Sequence, residues 1–146
     1  MIEDAPAYVV DASVGIKLFV TEPLAEEAAA LFAQLTTTPA TQLFVPDLFF
    51  VECANILWKY VRRSGYSITT ARANLDELKR LSLRGVATAE ITVDALNIAV
   101  IEAITAYDAC YVALARNLEI PFITADEALV RKLKSSMYDV RWLGEM

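Results

Sequence analysis

Hydrophobic residues fall along this chain in two rhythms. Short runs that are apolar at nearly every position, Ala7 to Val10, Leu43 to Val45, Pro121 to Thr124 and Val140 to Leu143, read as strands buried on both faces. Longer stretches with helical spacing lie between them. Ser13 is placed to cap a helix from Val14 to about Val20. Pro23 opens another from Leu24 to Leu35, whose first turn carries Glu26 and Glu27 and which the run Thr36-Thr37-Thr38-Pro39 ends. Pro46-Asp47 supplies the turn and N-cap of a long helix from Leu48 to about Arg63, closed by Gly65. Thr69 caps an amphipathic helix with Ala71, Leu75, Leu78 and Leu81 inward and Arg72, Asp76, Lys79 and Arg80 outward; Gly85 ends it. A β-prone piece from Glu90 to Val93 precedes a helix from Asp94 to about Ile104. Thr105 begins the next, through Leu118, and Asp126 to Lys134 forms a short one.

Continuously apolar strands alternating with helices indicate a three-layer α/β/α sandwich with a central parallel sheet of about four or five strands. With 146 residues and neither an internal repeat nor a linker, the chain reads as one domain over residues 1–146. Apolar residues at 56% and charged ones at 22% exclude a disordered tail. A mean hydropathy of +0.40 points to an apolar surface patch for an oligomer or a partner. The start, Met1-Ile2-Glu3-Asp4, is acidic where a signal peptide is basic, and no apolar run approaches the ~20 residues of a membrane span. A cytoplasmic protein with no membrane partner is expected. Cys53 and Cys110, both in apolar runs and not in a CxxC pattern, fit buried free thiols in a reducing compartment.

Charge and chemistry narrow the picture. Lys and Arg number 13 against 19 Asp and Glu, a net charge of −6, so no global field draws the protein to a polyanion. The chain has no histidine, which removes Ser-His-Asp and Cys-His nucleophile systems and the usual zinc hydrolase ligand sets. Carboxylates, hydroxyls, lysine or an oxygen-bound metal must carry any catalysis.

Ligands of an open parallel sheet bind beyond the carboxyl ends of its strands. Four acids fall there: Asp11 after the first strand, Glu52 in the second turn of the helix after the second, Asp108 in the first turn of its helix, and Asp126 after the third strand. Helix capping would account for Asp11, for Asp108 three residues after Thr105, and for Asp126 after Thr124. Glu52 resists that account, because its helix is apolar nearly all round and a buried carboxylate is costly. A salt bridge to Lys59 is the alternative, at a long i to i+7 reach. Acids gathered without a counterion raise one another's pKa, a conflict that a divalent cation resolves; an all-oxygen set suits Mg²⁺ or Mn²⁺. Ser13 and Thr124 are placed to orient ligands or waters.

Four segments then resemble the motifs of PIN-domain proteins, and more narrowly of VapC-type toxins from prokaryotic toxin-antitoxin pairs. They are Val9-Val10-Asp11-Ala12-Ser13-Val14 with Lys17, Phe50-Val51-Glu52-Cys53-Ala54-Asn55-Ile56-Leu57, Thr105-Ala106-Tyr107-Asp108 through Ala115, and Phe122-Ile123-Thr124-Ala125-Asp126. The resemblance implies a metal-dependent endoribonuclease on a doubly wound parallel sheet. It makes Asp11, Glu52 and Asp108 the principal acids around Mg²⁺ or Mn²⁺, with Asp126 completing the set and Ser13, Asn55 and Thr124 at accompanying polar positions. It also implies an RNA substrate, a homodimer and a cognate antitoxin, docked on helix faces from the first half of the chain.

An acidic ribonuclease needs a local cationic rim. Lys17, Arg131, Lys132 and Lys134 are candidates by closeness in sequence to Asp11 and Asp126, unless they are ordinary solvated residues. Two other readings stay open: a PIN-like protein that binds a partner without catalysis, and a PIN nuclease outside any toxin-antitoxin pair. An aspartyl phosphotransferase fits less well, because Asp11-Ala12-Ser13 lacks the second Asp expected of haloacid-dehalogenase-like hydrolases.

Overall fold

The computed structural model describes residues 5–37 and 39–146; the acidic start at 1–4 and Thr38 in the threonine run lie outside the described residues. Strand β1 (Ala7–Val10) is central. It pairs in parallel with β2 (Gln42–Pro46) on one side and β4 (Phe122–Thr124) on the other. Strands β3 (Arg84–Val86) and β5 (Val140–Trp142) form the edges, so the all-parallel order is β3-β2-β1-β4-β5. Val9, Val10, Leu43, Val45, Phe122 and Ile123 are fully buried, as strands covered on both faces require.

The flanking helices are α1 (Ala12–Gly15), α2 (Ala25–Ala33), α3 (Leu48–Ser64), α4 (Ile68–Arg80), α5 (Thr92–Glu102), α6 (Ala106–Leu118) and α7 (Glu127–Leu133). Helix α6 is buried without a break from Ala109 to Ala115 and packs against β1, β2 and β4, which carries Asp108, in its first turn, to the carboxyl edge of the sheet. Strand order reverses between β1 and β4, so the loops after these two strands diverge and leave a crevice. Among the described residues no single helix is long and apolar enough to cross a membrane.

Several elements differ from the sequence reading for identifiable reasons. The first helix is not continuous from Val14 to Val20; α1 gives way to a 3₁₀ turn at Ile16–Leu18, and Asp11, not Ser13, caps it by accepting from the Val14 amide at 3.3 Å. Asp47 does not cap α3. Its carboxylate accepts from the amide and hydroxyl of Thr88, and the Thr88 hydroxyl oxygen accepts from Leu48 N at 3.0 Å, so a distant segment caps the helix. Ser67, not Thr69, caps α4, which stops at Arg80. Gly85 therefore belongs to β3, an exposed three-residue edge strand whose Arg-Gly-Val sequence carries no buried-strand pattern. The β-prone residues near Glu90 form a 3₁₀ turn, Thr88–Ile91, and α5 starts at Thr92. Helix α3 is one-sided: Phe49, Cys53 and Leu57 face the core while Val51 and Trp58 are exposed.

Gly15 brings α1 against α3. A Cβ there would lie 2.6 Å from Cζ of the buried Phe49 ring. Gly15→Ala should therefore destabilise the fold by ~1–3 kcal/mol through overpacking, against a helix-propensity gain of at most ~1 kcal/mol. A thermal melt followed by circular dichroism reads the effect, and an unchanged or raised Tm contradicts it.

Candidate active site

Asp11 leaves β1 at the crevice and is only 6% exposed. Its two oxygens are both engaged. Oδ1 accepts from Ser13 Oγ at 2.5 Å and from Val14 N; Oδ2 accepts from Thr124 Oγ1, at the end of β4, at 2.6 Å. Ser13 Oγ also accepts from Ala125 N at 3.0 Å, and Thr124 Oγ1 from Asp126 N at 3.1 Å. The network ties the loops after β1 and β4 together across the crevice. Burial nevertheless dominates, lifting the Asp11 carboxyl to about 6 against the pull of these hydrogen bonds; the charge of Asp108 adds to the rise.

Asp108 links the acids electrostatically. Thr105 caps α6 by accepting from Asp108 N at 3.1 Å, which fixes the position of the carboxylate. Its pKa is raised first by burial and then by the charge of Asp126, while Thr105 lowers it. Glu52, half-buried on α3, is likewise raised by burial and by Asp108. Its Oε1 accepts from the hydroxyl of Tyr111, a buried residue whose ring stacks on Phe122 of β4 at 5.6 Å. Burial and the Glu52 charge push the Tyr111 phenol far up, so it stays protonated and donates. Asp126 is exposed and spends Oδ1 on the N-cap of α7, accepting from Leu129 N at 3.1 Å.

The crevice thus brings Asp11, Glu52, Asp108 and Asp126 into one field, with Ser13 and Thr124 inside the network. Among the described residues no three acidic, Cys or His side chains converge tightly enough to enclose an ion by themselves. The donor set still suits Mg²⁺ or Mn²⁺, which take one or two carboxylates directly and keep several waters; burial raises the Asp11, Glu52 and Asp108 carboxyls, and the charge of a neighbouring acid adds to the rise in each. Asn55 lies one turn beyond Glu52, exposed and with no hydrogen bond within the described protein. Glu52 and Lys59 form no ion pair among the described residues.

The cationic candidates fare unevenly. Lys17 pairs with Glu22 at 3.8 Å with its side chain only 10% exposed, and the Lys132 ammonium donates to the Ala103 carbonyl. Arg131 and Lys134 are exposed near the end of α7. Tyr111 escaped the sequence reading, although its signal was present: a Tyr one turn after Asp108 in an apolar helix needs a partner for its hydroxyl.

Comparison with known proteins bears on this geometry. The family model described as the PIN domain matches residues 8–134. The chain belongs to the PIN-domain family. It is 36% identical over 126 residues to Ribonuclease VapC3 of Pyrobaculum aerophilum, covering 85% of this chain and 92% of that protein. Among solved structures, PAE2754 from Pyrobaculum aerophilum superposes with a TM-score of 0.65 at 24% identity, covering 97% of this chain and 94% of that one. A chain of a toxin-antitoxin complex from Klebsiella pneumoniae superposes with a TM-score of 0.60 at 14% identity, covering 92% and 95%. These two likenesses establish the shared five-stranded PIN fold.

Two predictions follow from the buried acids. Asp11 has a higher pKa in the fold, about 6, than its ordinary 3.8, so the folded state holds the proton more tightly and stability is lost as pH rises through that interval, by ~3 kcal/mol at 1.36 kcal/mol per unit. Without metal, Asp11→Asn should melt above the unmodified protein at neutral pH, with the gap closing near pH ~4; a variant that melts lower at both contradicts this. Tyr111→Phe removes the hydrogen bond that favours ionised Glu52, so Mn²⁺ binding should weaken more at about pH 6 than at about pH 8. Mn²⁺ titrations followed by Tm at both values read the difference, and equal losses would contradict it.

Proposed function

We propose that this VapC-type PIN ribonuclease cleaves RNA phosphodiesters by a divalent-metal mechanism, with Asp11, Glu52 and Asp108 as principal ligands and Asp126 completing the set. The observation that carries the reading is the gathering of carboxyls at the β1/β4 crevice, raised by burial and further by one another's charge, an arrangement that a cation would relieve. A bound Mg²⁺ or Mn²⁺ supplies a water of lowered pKa and neutralises charge growing on the scissile phosphate. Ser13 and Thr124 hold the Asp11 carboxylate in one orientation, Tyr111 does the same for Glu52, and Thr105 anchors the turn that presents Asp108. Asp126 keeps one oxygen outside its capping bond, available to a ligand or a water.

The expected result is discrete cleavage of a mixed RNA pool with Mg²⁺ or Mn²⁺, abolished by EDTA and by Asp11→Asn. Mn²⁺ should raise the Tm, and less so for Asp108→Asn. Cleavage that persists in EDTA, or is equal in Asp11→Asn, would reject the metal mechanism.

The reading includes a second copy of the chain and an antitoxin. On α5, Val93, Leu96, Val100 and Ile101 form one exposed apolar stripe, with Val100 and Ile101 74% and 75% exposed, which favours a self-complementary helix face. A narrower apolar cleft between α3 and α4, walled by Trp58, Val61, Ile68 and Leu75, suits an inserted antitoxin segment. The expected partner surfaces therefore lie in the second half of the chain as well as the first. The double variant Val100→Glu, Ile101→Glu should run as a monomer in light scattering where the unmodified protein is a dimer; an unchanged mass removes α5 as the interface.

A further inference from the structure

Helix α3 carries more than Glu52. Asn55, Lys59 and Arg63 follow it at spacings of three, four and four residues, so the row forms one stripe running away from the acids. An open groove of about 520 Å³ borders this stripe, lined by Glu52, Asn55 and Lys59, by the apolar Leu48, Val51 and Ile56 of the same helix, and by Tyr107 of α6. Its size falls within the ~300–1,000 Å³ of ligand sites. Lys59 also lines a second hollow, which Arg63 borders, so the stripe runs from the one into the other.

The groups along this path are unspent. Tyr107 is 64% exposed, and neither its hydroxyl nor the Asn55 amide makes a hydrogen bond among the described residues. Among those residues Lys59 and Arg63 enter no salt bridge, in contrast to Lys17. In a chain of net charge −6, two free cations beside a carboxylate cluster form a local anion path. An exposed aromatic ring, a free amide and cations at backbone spacing make up the chemistry that holds a single nucleic-acid strand by stacking, base-edge hydrogen bonds and phosphate contacts.

Building on the ribonuclease reading, we propose that this groove is a nucleotide subsite: one unpaired base next to the scissile phosphate stacks on Tyr107 and meets Asn55, while the strand runs along α3 with its following phosphates on Lys59 and Arg63. The cationic rim then includes α3. A paired base cannot enter, because its faces are covered within the duplex.

The test uses the full chain carrying Asp11→Asn, with Mg²⁺, and fluorescence anisotropy of a labelled mixed-sequence oligoribonucleotide in single-stranded and duplex form. Tyr107→Ala should weaken single-strand binding about tenfold or more, while Tyr107→Phe, which keeps the ring, should bind like its parent. Lys59→Ala and Arg63→Ala should each weaken binding and lower the slope of log K against log salt by about 0.7. Lys79→Ala, on the exposed face of α4, should change neither. In the otherwise unmodified protein, Tyr107→Ala should raise KM for cleavage and leave the Mn²⁺-induced rise in Tm intact.

If the unmodified protein cleaves RNA but Tyr107→Ala binds and cleaves like its parent, the subsite is rejected and the ribonuclease reading stands. Loss of self-association or antitoxin capture in Tyr107→Ala, with RNA binding unchanged, assigns the groove to a protein contact and rejects the subsite. If the unmodified protein neither cleaves RNA nor, as Asp11→Asn, binds it, both readings fall.

Discussion

The carboxylate of Asp11 is buried at the point where the strand order reverses, and much of the site follows from the cost of keeping a charge there. Three donors satisfy its oxygens, and they come from both sides of the crevice: Ser13 and Val14 after β1, Thr124 at the end of β4. One side chain therefore caps α1 and bridges two central strands at the crevice. Even so engaged, its carboxyl stands at about 6, which marks a group held in place against its own preference.

The remaining acids share this logic through different supports. Asp108 is fixed by the cap at Thr105, Glu52 by the hydroxyl of buried Tyr111, and Asp126 by its own capping bond to Leu129. Each support belongs to a packed element: α6 under the sheet, Tyr111 against Phe122, α7 beyond β4. Capping and ligand presentation are here one geometry, because a side chain that caps the helix after a strand must sit at the carboxyl edge of the sheet, where ligands of such sheets bind. Of the three residues for which the sequence poses capping as an alternative, Asp11 and Asp126 cap their helices and also belong to the acidic cluster.

Electrostatics divides the surface in the same economical way. Lys17 pairs with Glu22 and Lys132 with a backbone carbonyl, whereas Lys59 and Arg63, further along α3 from Glu52, enter no salt bridge among the described residues. Exposed apolar residues include a row on α5 and others at the α3/α4 cleft.

The sequence by itself determined the alternation of buried strands with helices, the order of the central strands' apolar runs, and the presence of acids after strand ends, because these rest on local periodicity and on capping chemistry between near neighbours. It also carried the four motifs by which the family is recognised. Tertiary structure alone decided which residues meet. The edge strand Arg84–Val86 has no apolar run and exists because Phe44 to Pro46 offer it a partner. Thr88 replaces Asp47 as the cap of α3 from forty residues away. Tyr111 reaches Glu52 across 59 positions, and Thr124 reaches Asp11 across 113. Such pairings depend on how sheet and helices pack, a long-range property that no local pattern of residues encodes.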